Sequence, residues 1–219
     1  MRWIVIACVL GTLVTGCGGD DDGPSTSGGV EIGGAAGRAT GPEAWPAPGP
    51  DQVEALADEA GAPLEVKETL THHAHSHLDV FIDGVHRIVP AGIGIVITDP
   101  AVKTSEDLSG MHYGGIEGCD QPCISPLHTH DTSGIIHTES ATTEDRRLGQ
   151  LFTLWDVRLD DHCIDEHCTP DTPIKVYVDG DEVPLADAPQ IRLTNGKEVA
   201  IVIGDPPDRI PATASFAEG

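Results

Sequence analysis

Eleven histidines stand in this chain of 219 residues, all between His72 and His167. Imidazole is a ligand for transition metals and the side chain that titrates near neutrality, so the grouping of these residues decides what chemistry is open to them. The first group is the stretch THHAHSHLDVFIDGVHR, beginning at Thr71. With a strand's period of two, His73, His75, His77 and Asp79 share one face, and Leu78, Val80 and Ile82 take the other. A two-residue turn at Asp83-Gly84 pairs Ile82 with Val85 and Phe81 with His86, which brings His86 to the histidine face. The second group is PLHTHDTSGIIHTES, beginning at Pro126. His128 and His130 share a face. A four-residue loop over 131–134 opposes His130 to Ile135 and His128 to His137, with Glu139 on the face of His137.

Opposed residues of a hairpin hold their Cβ atoms about 4.5–5.5 Å apart, and imidazoles of that reach converge on one ion with bonds of ~2.0–2.1 Å. The expected primary ligands are therefore His128, His130 and His137, with Glu139 as fourth ligand or as hydrogen-bonding partner of a ligand. His75 and His77 are expected to complete the same site from a neighbouring strand or to form a separate surface patch. Copper or zinc suits such donors, and iron is compatible with them. His72 and His112 read as ordinary surface histidines. The plain alternative for HAHSH is a pH-responsive surface that binds no metal.

The elements that must position these groups are mostly strands. One short helix is expected over 51–60, where Val53, Leu56, Ala57 and Ala60 recur at helical spacing. Strands follow at 78–82, 85–89 and 92–98, then the hairpin around 131–134. A second helix is expected over 147–155, with Leu148, Leu151, Phe152 and Trp155 on one face. Strands at 174–178, 191–193 and 199–203 close the chain, with turns at Asp179-Gly180 and Asn195-Gly196. The expected class is mostly β, built of antiparallel hairpins, sandwich-like or α+β, with short helices.

Upstream, Met1-Arg2 precedes an apolar run over 3–14 that is too short for a membrane span of roughly 20 residues but suits a signal peptide. It ends in Val14-Thr15-Gly16-Cys17, which resembles the lipobox of bacterial lipoproteins. That resemblance implies cleavage after Gly16 and a diacylglyceryl group on Cys17, so residues 1–16 are the expected signal and the membrane is a partner through the lipid. Residues 17–50, rich in Gly, Pro, Ser and Asp, read as a flexible linker, and 51–219 as one His-rich domain. The expected place is the cell envelope, on the extracytoplasmic face of a membrane. The cysteines there, Cys119, Cys123, Cys163 and Cys168, are then oxidised. Local pairs, Cys119 with Cys123 and Cys163 with Cys168, are preferred over thiolate metal ligation. A formal net charge of −24 argues against nucleic acid as a partner and favours cations.

The strings HAHSHLDVFIDG, VPAGIGI, PLHTHDTSGIIHTES and LGQLFTLW resemble a group of exported or membrane-attached bacterial and archaeal proteins that share these motifs. The resemblance implies that His75, His77, His128, His130, His137 and Glu139 belong to one functional unit, and it names no reaction. Two functions fit. One is a lipid-anchored protein that binds copper or zinc for handling or sensing. The other is a metal-dependent hydrolase or oxidoreductase with a three-histidine site and Glu139 or Asp131 as base.

Overall fold

A computed structural model describes Trp45, Gly49 and residues 51–107, 110–214 and 216. The expected signal peptide, Cys17 and the linker, save Trp45 and Gly49, lie outside the described residues. In chain order the elements are α1 (Val53–Glu59), β1 (His72–Ile82), β2 (Val85–Arg87), β3 (Lys103–Asp107), β4 (Gly110–Gly114), β5 (Leu127–His128) and β6 (Ile135–Ser140). Then come β7 (Arg146–Arg147), α2 (Leu148–Leu154), β8 (Cys163–Ile164), β9 (His167–Cys168), β10 (Ile174–Val178) and β11 (Asp181–Val183). A 3-10 helix (Leu185–Gln190), β12 (Arg192–Leu193) and β13 (Lys197–Ile203) complete the chain.

The fold is mostly β, as its alternating sequences require. The main sheet has seven strands in the order β11-β10-β13-β1-β6-β5, with β2 also on β1. Its longest strand, β1, runs parallel to β13 on one side. Its other side is divided, with β6 along His72 to His77 and β2 along Val80 to Ile82, both antiparallel. The alternation of β1 sends Leu78 and Val80 into the main core, where they meet Ile136, Val176, Val199 and Ile201 from neighbouring strands. Leu148, Leu151, Phe152 and Trp155 of the α2 region join the same core. Burying an aliphatic or aromatic side chain there contributes about 1.5–3 kcal/mol each, and it is this burial that fixes which face of β1 is left for the histidines.

Trp45 belongs to this core, although it falls in the stretch read as linker. It is 7 % exposed, donates from Nε1 to Asp165 Oδ2 at 2.9 Å and meets Trp155 edge-on at 5.6 Å. The Asp83-Gly84 hairpin has the expected register, Ile82 opposite Val85 and Phe81 opposite His86. The apolar run 92–98 is not a strand. Gly92 and Gly94 both take positive φ (84° and 74°), so the chain turns there, and a Cβ on Gly94 would lie 2.5 Å from the Leu127 carbonyl oxygen. The 191–193 strand is also redirected: β12 pairs with β7, not with β13 across the Asn195-Gly196 turn. Cys119 is bonded to Cys123 and Cys163 to Cys168, the two local pairs. Among the described residues no helix is long and apolar enough to cross a membrane.

Candidate metal centre

β6 lies between β1 and β5, and this arrangement gathers the histidines. His75 is directly opposite His137 and His73 opposite Glu139 on one side. His128 is opposite His137 on the other. The expected His130–Ile135 pair does not form, because β5 ends at His128. The His130 carbonyl instead accepts the Tyr113 N–H of β4, and Asp131 Oδ1 accepts the Ser133 N–H in a side-chain turn. His130 nevertheless points back over the site, its Nδ1–H donating to the Tyr113 carbonyl.

Two quartets of ligand atoms result, His73, His75, His137 and Glu139, and His128, His130, His137 and Glu139, each with its atoms within 4.8 Å of one another. The Nε2 atoms of His73 and His75 are 2.9 Å apart, and those of His128 and His130 are 3.1 Å apart. Two nitrogens bound at ~2.0–2.1 Å to one ion, at angles of about 90–110°, sit roughly 2.9–3.4 Å from each other. For His73 and His75 the same separation also accommodates an N–H···N hydrogen bond in the metal-free protein. His128 Nδ1 donates to the Ser125 carbonyl at 2.8 Å, so backbone acceptors hold the Nδ1 proton of both His128 and His130 and leave each Nε2 as the bare donor. This is the outer hydrogen bonding expected of metal-bound imidazoles.

Glu139 is 5 % exposed. Its Oε1 lies 3.3 Å from His137 Nδ1 and 3.4 Å from His73 Nε2, while its buried Oε2 has no hydrogen-bond partner among the described residues. An orphaned carboxylate oxygen beside five imidazoles is costly unless a cation meets it, and the donor set suits copper or zinc.

The electrostatics favour neutral imidazoles. Burial, then the charges of His137 and His73, push His75 down to about 4. Burial, then His130 and His137, hold His128 well below its ordinary value; burial and His137 do the same to His130. For Glu139, burial works upward, but the hydrogen bond and charge of His137 outweigh it and the carboxyl is held low. An ionised Glu139 beside neutral His75, His128 and His130 is the protonation state that binds a divalent cation.

His77, expected as a ligand, lies outside the two quartets, in a separate buried group with Asp79 and Glu198 whose ligand atoms also fall within 4.8 Å of one another. Fully buried, its Nε2–H donates to the Ser133 carbonyl at 2.8 Å. Its Nδ1 faces Glu198 at 3.1 Å and Asp79 at 3.6 Å. His86 Nε2 sits 2.9 Å from the other oxygen of Asp79. Burial opposes charge on His77, yet the hydrogen bond and charge of Glu198, with Asp79, raise its pKa. The strand period put His77 on the correct face; what it could not show was the parallel partner β13, which delivers Glu198 directly opposite.

Glu68 was not foreseen. Its Oε1 is 3.7 Å from His130 Nε2, and burial together with the Glu139 charge raises its pKa. No motif marks it, since it lies in an irregular segment ahead of β1. His72 lies 3.6 Å from Asp145 and His112 3.5 Å from Asp131, and neither joins the two quartets. Asp131 faces His112 and the Ser133 amide, and its charge also acts on His130.

No family model matches this chain, nor does any curated protein or solved structure.

Proposed function

We propose that this is an extracytoplasmic, lipid-anchored protein that binds copper or zinc through the histidine face of its main sheet, for handling or sensing of the metal. The observation that carries the metal reading is the convergence of five imidazoles and a buried carboxylate whose second oxygen has no hydrogen-bond partner among the described residues. Cys17 and the apolar run before it support the anchor, and the two disulfides agree with an oxidising compartment.

The test is the metal content of the full chain, exported, purified without chelators and measured by elemental mass spectrometry. A His128→Ala/His130→Ala/His137→Ala variant runs beside it. Copper or zinc at one or more equivalents, lost in the variant, supports the proposal. A wild-type protein that stays metal-free after reconstitution above pH 7, where imidazoles are neutral, refutes it.

A metal-dependent hydrolase is the second reading, and Glu68 favours it. This part-exposed carboxyl, 3.7 Å from His130 Nε2, would be placed to act as general base toward a water on a bound metal. Ester hydrolysis by the zinc-loaded protein, abolished by Glu68→Gln at unchanged zinc content, would establish it.

A further inference from the structure

We infer that the histidine face binds two metal ions side by side, joined through Glu139, and not one. This rests on the metal-binding reading above and concerns how many ions the face takes.

The ligands fall into two pairs from two strands. His73 and His75 come from β1, His128 from β5 and His130 from just beyond it, and β6 lies between them. Adjacent strands are about 4.7–4.9 Å apart, so the backbones of β1 and β5 are separated by roughly 9–10 Å. Ligands on opposite sides of a single ion can be no more than about 4.2 Å apart, twice the bond length. Each quartet closes to within 4.8 Å, but the six residues do not form one set at that distance. Each outer pair has instead already brought its two Nε2 atoms to ion-sharing distance, 2.9 Å in one and 3.1 Å in the other.

The two quartets share only His137 and Glu139; His137 Nδ1 faces Glu139 Oε1 at 3.3 Å, which leaves its Nε2 for one ion, while the carboxylate of Glu139 has two oxygens. The outer rings are disposed alike about His137. His75 and His130 each meet it at 4.5 Å and 72°. His73 and His128 lie nearly parallel to it, at 19° and 8°. Glu139 presents Oε1 toward His73 and keeps Oε2 without a hydrogen-bond partner. One oxygen for each ion accounts for both atoms, and bridged ions in carboxylate sites sit ~3.5–4 Å apart. Glu68, 3.7 Å from His130 Nε2, supplies further negative charge on the β5 side. A single ion would leave one prearranged Nε2 pair without a role.

The experiment titrates the full chain with Cu(II) and measures bound copper together with the integrated electron paramagnetic resonance signal. The expected result is two equivalents, with fewer spins than copper ions because the two couple. His73→Ala/His75→Ala should keep one equivalent at full spin intensity, and so should His128→Gln/His130→Ala. Near-UV circular dichroism of the buried tryptophans checks that each variant is folded. His73 is exposed and outside the core, so His73→Ala alone leaves the core packing intact; it should weaken one of the two binding steps at least tenfold and spare the other. One equivalent in the wild type, lost in both paired variants, would overturn the inference and leave a one-ion site. Two equivalents with full, uncoupled spin intensity would overturn the bridge. No bound copper at all would overturn the metal-binding reading itself, a distinct outcome.

Discussion

Replacing His77 by alanine should unfold this domain more readily while leaving its metal content intact. His77 is fully buried between Glu198, at 3.1 Å, and Asp79, at 3.6 Å, and its Nε2–H satisfies the Ser133 carbonyl. Removing it leaves two buried carboxylates without that imidazole and one carbonyl without its donor. Breaking a buried ion pair from one side costs about 3–5 kcal/mol, a large part of a total stability of about 5–15 kcal/mol. For a domain of this size 1 kcal/mol moves Tm by about 2–4 °C, so the expected drop is roughly 6–20 °C. Thermal unfolding followed by tryptophan fluorescence measures it, and elemental analysis of the folded variant measures the metal. Glu198→Gln, which removes one of the two carboxylates, should make a following His77→Ala substitution less damaging. A Tm within about 2 °C of wild type would refute the argument, as would a folded variant that has lost its metal.

The remaining expectations concern pH, the core and the turns. In the metal-free protein, unfolding frees His75, His128 and His130 to bind protons near their ordinary pKa of about 6.5, whereas folded His75 does so only near about 4. Their contribution is therefore complete above about pH 6.5 and is lost as pH falls toward 4. His77 has the opposite sign, since its raised pKa contributes below the unfolded value and is lost as pH rises through the folded one. Tm measured from pH 4 to 9 should fall steeply on the acid side, and less steeply in His130→Gln; equal slopes would contradict the assignment. Trp45→Ala should cost about 3–5 kcal/mol in urea unfolding, and deletion up to residue 50 should cost as much; unchanged stability would remove Trp45 from the core. Gly94→Ala places a Cβ 2.5 Å from the Leu127 carbonyl oxygen at a φ of +74°. It should destabilise the domain by at least about 1 kcal/mol and weaken metal binding through the adjoining His128, whereas wild-type affinity would show that this contact does not position β5.

Local patterns carried much of this architecture. The period of β1, the Asp83-Gly84 turn and the His128–His137 opposition follow from alternation and turn chemistry, and α2 follows from helical spacing. Long-range pairing did not show itself. Nothing in residues 197–203 announces that β13 runs parallel to β1, yet that choice gives His77 its carboxylate and withdraws it from the metal site. The same limit hid Glu68, and it hid Tyr113, whose backbone both shortens β5 and orients His130. The apolar alternation of 92–98 read as a strand because period alone does not register that two glycines at positive φ turn the chain.

The most direct test of the central claim is a crystal structure of the copper- or zinc-loaded protein with anomalous data on both sides of the metal's absorption edge. Anomalous density over β6, within the quartets that share His137 and Glu139, is the predicted result. Density at the Cys163–Cys168 loop, at Asp160 and His162, or at the His77 cluster, with none over β6, would contradict the account.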